Sequence, residues 1–280
     1  SPRRAGACES RRLDAVRHHR PRPPRAWTRG AFLHRPPLGR RPRLHAPVPG
    51  IVREVRRIAL PDGRRCDAVV IDMDGEFDRL GKSVDAREWE SLESTALLRL
   101  IEENGVVSMS GDPIPAHLAC DLGKRKRCEY LILNGSESEP YLSAEHRTMV
   151  ERAASVLEGA RIAARLLRPE RIVVGIEANK PDAIAAMERA IRERGLPFQV
   201  ARLRVKYPQG DERQLIRSVT GREVPSGGSA ADVSSQVIAV STAAAIHDAV
   251  VYRQPLIERV VTVSGGAVSR PSNMKVRMGT

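Results

Sequence analysis

Between Tyr130 and Val205 the chain alternates three short apolar runs with two stretches of helical period, and few folds accommodate that alternation. Residues 130–133, 172–176 and 198–205 read as strands. Between the first two, Met149, Ala153, Val156, Leu157, Ala160, Ala164 and Leu167 fall on one helical face, with Ser143 placed as N-cap. The second helix runs over residues 182–194, with Pro181 in its first turn and Gly195 past its end. A β-α-β-α-β run with apolar strands predicts a parallel sheet covered on both faces, joined by right-handed crossovers. Such a sheet places ligands at the C-terminal ends of its strands. The first strand empties there into Asn134-Gly-Ser-Glu137-Ser-Glu139-Pro140, a polar loop with two carboxylates.

The flanking segments extend this pattern. Leu92, Ala96, Leu97, Leu100 and Ile101 mark a helix to Asn104, with Gly105 as its stop. A small-residue loop follows over 105–115. After the third strand, Gly210-Asp-Glu212 opens a short helix that closes at Gly221. A strand over 237–240 and a helix capped by Ser241 or Thr242 come next, and residues 257–264 start a strand of a new unit. On the N-terminal side, residues 44–71 read as a turn, a hairpin around Pro61-Asp-Gly63 and a further strand.

Composition removes several function classes. The chain of 280 residues has a formal charge of +13, but residues 1–50 hold 13 Arg and only two acids, so the other 230 residues carry +2. Nucleic-acid surfaces spread basic residues over a folded face with stacking aromatics, and aromatics here are 3%. Residues 1–43 are too rich in Arg and Pro to bury a core. They read as a disordered basic tail, with an out-of-frame, non-native segment as the competing reading. Cys8, Cys66, Cys120 and Cys128 form no C-x-x-C pair, so neither a metal site nor a disulfide framework is signalled. No apolar run is long enough for a membrane span, and no signal-peptide core is present.

Three loops could face one ligand at the sheet edge: 105–115, 134–140 and 206–214. Amides of small-residue loops can hold phosphate, carboxylates such as Glu137 and Glu139 accept from ribose hydroxyls or a ring edge, and Lys206 offers a charge for phosphate. Each signal alone is more often a plain turn or a solvated rim.

From Leu44 onward the sequence resembles the C subunit of the Rnf/Rsx ion-translocating electron-transport complex, and more distantly the flavin- and NADH-binding subunit of respiratory complex I. The strings that carry the likeness are His45–Val52, 105–117, 130–147, Gly175-Ile-Glu177-Ala-Asn-Lys180-Pro181, Lys206-Tyr-Pro208, Gln214-Leu-Ile216, Arg222-Glu-Val-Pro-Ser-Gly-Gly228 and 255–265. The resemblance implies flavin mononucleotide (FMN) accepting a hydride from NADH, with single electrons passing to iron–sulfur clusters. It implies cofactor contacts at Gly105, Ser108, Ser110, Gly111, Asn134, Glu137, Glu139, Lys206 and Glu212, with no catalytic side chain and no metal ligand in this chain. Partners would be other subunits of a membrane complex and a ferredoxin-type acceptor, on the cytoplasmic face of the membrane. The implied architecture is an unmodified lipoyl-like barrel-sandwich (44–91), a Rossmann-like flavin/NADH domain (92–255) and the start of a β-grasp unit (256–280) whose [4Fe-4S]-bearing continuation lies beyond Thr280.

The departures define a rival. Where the family has Gly-x-Gly-Gly, this chain has Ser108-Met-Ser110-Gly111, followed by Asp112; a usual lysine is Ala119; and Asn-Val-Gly-Thr is Ala239-Val-Ser241-Thr242. A Cβ in a left-handed or closely approached position costs about 1 kcal/mol or blocks a ligand. The alternative is therefore a non-catalytic scaffold that keeps the fold without the flavin. A basic nucleic-acid binder resting on the Arg-rich tail comes last.

Overall fold

The structure, a computed structural model, describes residues 43–59, 63–74, 85–111, 113–121 and 127–279. The expected tail up to residue 42, the hairpin residues Pro61 and Asp62, and Asp112 lie outside the described residues.

The element order is β1 (Gly50–Ala59), β2 (Arg65–Met73), α1 (Ser94–Glu103), α2 (Ala116–Asp121), β3 (Tyr130–Asn134), α3 (Ala144–Leu167), β4 (Arg171–Glu177), α4 (Pro181–Glu193), β5 (Phe198–Leu203), α5 (Glu212–Thr220), a 3-10 turn (Ala230–Val233), β6 (Ser235–Ala239), α6 (Val240–Val251), β7 (Glu258–Val263) and β8 (Ser272–Arg277). Four strands form one parallel sheet in the order β5-β4-β3-β6. The chain thus builds outward from β3 through β4 to β5, then crosses back to add β6 on β3's other side. Asn134 pairs with Gly175 on one side and Ala239 on the other, which puts the reversal of strand order beside Asn134.

Side chains of β3 alternate between two cores, as the pleat requires. Leu131 and Leu133 join Val174, Ile176 and Ile238 in the cluster built with α1, α3, α4 and α6. Ile132 faces the other way, with Leu203 and with Leu215 and Ile216 of α5. The expected parallel sheet with helices on both faces is present. Each fully buried aliphatic side chain contributes about 1.5–3 kcal/mol, and Leu131, Ile132 and Leu133 are all 0% exposed. Helices α3 and α6 approach so closely that a Cβ on Gly159 would lie 1.7 Å from Ala243 O.

Gly105 ends α1 as expected, at φ +67°. Two other boundaries move for physical reasons. The strand expected to reach Val205 stops at Leu203, whose carbonyl accepts from Ala178 N–H; β5 is an edge strand with one partner, and Arg204 and Val205 are exposed. The strand expected over 237–240 is Ser235–Ala239, and Val240 already begins α6, whose N-cap, Ala239, supplies no side chain. A carboxylate from α3 meets that helix end instead. At α3, Ser143 is indeed the N-cap residue but makes no capping bond; its hydroxyl is paired with Asn273 of β8.

The segments before and after the sheet domain are antiparallel ribbons. β1 and β2 pair from Gly50↔Met73 to Ala59↔Arg65, with an irregularity at Val52/Glu54, and β7 pairs with β8. The second ribbon is tied to α3, where Ser143 N–H donates to Thr262 Oγ1 at 3.0 Å. Cys66, Cys120 and Cys128 are free thiols, and burial pushes Cys120 up to about 12 and Cys128 up to about 11. Among the described residues no helix is long and apolar enough to cross a membrane, and no group of three or more His, Cys, Asp or Glu could hold a metal.

Candidate functional site

The C-terminal ends of β3, β4 and β6, the crevice position of an open α/β sheet, are framed by five chain segments. From β3 comes the acidic loop. Asn134, 5% exposed, turns its amide onto the loop after β5, donating from Nδ2 to Gly210 O at 2.9 Å, while its Oδ1 accepts from Ser136 N–H at 3.0 Å. The expected convergence of the 134–140 and 206–214 loops is therefore a direct hydrogen bond. Gly210 eases this approach, because a Cβ there would sit 3.1 Å from Glu137 O and 3.3 Å from Ser136 O, closer than most side chains come.

Glu137 is 3% exposed and already engaged. Its Oε1 accepts from His146 N–H at 3.0 Å in the first turn of α3, so it serves the helix end that Ser143 leaves open. Its own N–H donates to Glu177 Oε2 at 3.3 Å. Glu177 ends β4, is 1% exposed and is held by Lys180 Nζ. Its second oxygen, Oε1, is buried and, among the described residues, has no hydrogen-bond partner, as is true of Ser136 Oγ. The Tyr207 hydroxyl is pushed above its ordinary value by desolvation and by the charges of Glu177 and Glu137.

The fourth and fifth segments are the β6–α6 turn and the small-residue loop. Met109 N–H donates to Thr242 Oγ1 at 2.9 Å, and Arg259 of β7 donates to Met109 O at 3.3 Å. Glu145 of α3 accepts from Ser241 N–H at 2.9 Å and from Ser241 Oγ at 2.6 Å, so a carboxylate sits where helix α6 presents its free N–H groups. Desolvation pushes Glu145 up to about 7, against the Ser241 hydrogen bonds; nearby Glu137 adds to the rise and Arg259 opposes it. Behind it a cleft lined by Met109, Glu145, Arg152, Asp248, Arg259 and Lys275 separates α3 and α6 from the β7–β8 ribbon. There Arg152 donates to both oxygens of Asp248, at 2.7 and 2.9 Å. Against its burial, His247 and Arg152 hold Asp248 below its ordinary value.

Residues 101–248, which span the sheet and this crevice, match the family described as the Nuo51 FMN-binding domain. The chain belongs to that family. Its curated relatives include the C subunit of the proton-translocating ferredoxin:NAD(+) oxidoreductase complex of Clostridium ljungdahlii, 43% identical over 237 residues, 85% of this chain and 51% of the relative. The C subunit of the ion-translocating oxidoreductase complex of Pseudomonas aeruginosa is 40% identical over 239 residues, 85% of this chain and 30% of the relative. The Na(+)-translocating counterpart of Acetobacterium woodii is 36% identical over 237 residues, 84% of this chain and 53% of the relative. The chain thus spans between 30% and 53% of the length of these relatives. In fold it is similar to a chain of the NAD+-reducing [NiFe]-hydrogenase in its H2-reduced state, at a TM-score of 0.57 and 19% identity, covering 67% of this chain and 38% of that one.

Within this Nuo51-type domain the residues expected to touch a cofactor fall into three groups. Asn134 and Glu137 are buried at the crevice and bonded to their neighbours. Glu139, Lys206 and Glu212 are exposed around it. The remaining four belong to the small-residue loop. Gly105 is buried as the stop of α1, with Arg43 O filling the place of a Cβ at 2.0 Å. Ser108 donates from Oγ to Ser110 O at 2.8 Å, closing the loop on itself. Gly111 is exposed at φ +66° with open space around it. Sequence reading missed Ser136, Glu145, Glu177 and Lys180. Only the last two left a signal: two charges closing an otherwise apolar strand in Gly175-Ile-Glu177-Ala-Asn-Lys180.

Proposed function

We propose that this chain is the nucleotide-binding part of an electron-transport complex subunit that exchanges electrons with NAD(H) through bound FMN. The observation that carries this reading is the family match over 101–248, the stretch that forms the crevice where strand order reverses. The residues there fit a polar ligand: among the described residues Ser136 Oγ and Glu177 Oε1 are buried polar atoms without partners, and such groups call for a ligand or water. The phosphate end fits the open small-residue loop at Gly111 on the β6 side, while Lys206 adds charge at the β5 side. The ring and sugar fit Ser136 Oγ and Glu177 Oε1, framed by Asn134, Glu137 and Glu139, with Gly105, Ser108, Ser110 and Glu212 shaping the surround. A bound flavin supplies hydride acceptance from NADH and one-electron delivery; the side chains hold, orient and exclude water.

The finer architecture belongs to the same proposal. The β1–β2 ribbon is read as part of a barrel-sandwich (44–91), followed by the nucleotide domain (92–255), with β7–β8 as the start of a β-grasp unit (256–280). Iron–sulfur clusters would belong to a cysteine-rich part outside this chain. The assembled partners would be membrane subunits and a ferredoxin-type acceptor, with this subunit peripheral on the cytoplasmic face. The test is titration of FMN into the purified protein followed by anaerobic addition of NADH. Quenching of flavin fluorescence and then bleaching supports the reading, and the absence of both refutes it.

A second reading, a scaffold that has lost the flavin, draws on the Ser108–Ser110 closure. If wild type is colourless and the S108G/S110G/A239N variant binds FMN, the scaffold reading is supported. Equal binding by both proteins refutes it.

A further inference from the structure

Glu177-Ala-Asn-Lys180 has only half a part in the site as proposed: Glu177 lines it and Lys180 has no role. Yet three ionisable side chains meet there almost without access to water. Glu137, Glu177 and Lys180 are 3%, 1% and 7% exposed. Lys180 Nζ bonds Glu177 Oε2 and lies 3.8 Å from Glu137 Oε1. The two acids are also joined through the backbone, Glu137 N–H to Glu177 Oε2 at 3.3 Å. Burying such a trio is costly, and apolar side chains of similar volume often stabilise a fold at least as well. What charge adds here is position. Lys180 is the N-cap residue of α4, anchored by its N–H to Glu177 O at 3.0 Å and by its carbonyl to Ile184 N–H at 3.1 Å. Its ammonium is thus a fixed point between the end of β4 and the acidic loop.

We propose that Lys180 is a positioning residue of the nucleotide site, its ammonium bridging Glu137 and Glu177 so that the 134–140 loop is locked against β4 and α3 while Glu177 Oε1 is left to accept from the ligand. This rests on the crevice being a nucleotide site. With two carboxylates to one ammonium, the trio with all groups ionised carries one surplus negative charge beside an unpartnered acceptor. It suits a neutral or cationic hydrogen-bond donor, such as a carboxamide, a ring N–H or a sugar hydroxyl, and repels phosphate. The ligand's phosphate end therefore points away from β4, toward the 105–111 loop.

The test uses the full-length protein, with FMN affinity measured across pH and hydrogen exchange of residues 134–140 followed without flavin. In K180Q two close buried carboxylates lose their cation, and such a pair must share a proton or separate. K180Q is expected to lose FMN affinity by about tenfold or more near pH 8 and to regain most of it near pH 5.5. Exchange at 134–140 should quicken at the higher pH while that of α5 is unchanged. The double variant E177Q/K180Q, with the charge surplus no larger than in wild type, should keep the loop protected, and it carries the test if K180Q does not fold. Wild-type loop protection in K180Q near pH 8, or an affinity loss equal at every pH, overturns the proposal. So does a double variant whose loop is as open as that of K180Q or, if K180Q does not fold, exchanges like an unfolded segment. If wild type binds no FMN, the flavin reading fails, and loop exchange alone decides the role of Lys180.

Discussion

Replacing Glu145 by Gln should stabilise the protein, and by an amount that depends on pH. Burial pushes this carboxyl from an ordinary 4.5 to about 7 in the folded chain, even with two hydrogen bonds from Ser241. A group whose folded value is raised favours folding while it is protonated, and that contribution is lost as pH rises between the unfolded and folded values. Wild type should therefore lose stability relative to Glu145→Gln from about pH 4.5 to about pH 7, and no further above that. A rise from 4.5 to about 7 corresponds to about 3 kcal/mol. The side chain retains some contact with water, so about 2–3 kcal/mol is the expected span. Gln keeps the shape and can still accept from Ser241 N–H, so the variant isolates the charge. Urea unfolding of both proteins at several pH values gives the difference directly. A wild-type-to-variant gap that stays constant across this range would refute the assignment of a strained, buried carboxylate at the N-terminus of α6.

Two further substitutions probe the frame that holds the crevice. Gly159→Ala places a Cβ 1.7 Å from Ala243 O and must push α3 from α6; overpacking of this kind costs about 1–3 kcal/mol or more, beyond the roughly 1 kcal/mol Ala gains in helix propensity, and unchanged thermal unfolding would contradict the close approach. Asp211 caps α5 by accepting from Arg213 and Gln214 N–H, so Asp211→Ala should cost about 1 kcal/mol in urea unfolding, and no loss would show the cap to be idle.

Much of the fold was legible because its strongest signals are local. The β3, β4 and β5 runs, the apolar stripe of α3 and the stop at Gly105 are each read within one short continuous stretch of sequence. The boundaries that moved involve partners remote in sequence: the start of α6 at Val240 is met by Glu145, which accepts from Ser241 N–H 96 residues away. The candidate site was half legible for the same reason. Asn134 and Glu137 stood out as polar residues after an apolar strand. That Glu137 would turn back onto His146 N–H depends on the loop's path, and that Glu177, 40 residues on, would meet it and keep an unpartnered oxygen had no local signal. Ser108 and Ser110 were visible as departures from a glycine pattern, whereas their mutual closure needs the loop's three-dimensional path.

The central claim is that the edge formed by Asn134, Ser136 and Glu177 receives a flavin nucleotide. It is tested most directly by equilibrium dialysis of FMN against wild type and Glu177→Ala. Saturable binding by wild type, with loss of about tenfold or more in the variant, is the predicted result. Equal binding by both proteins, or none by wild type, would contradict it.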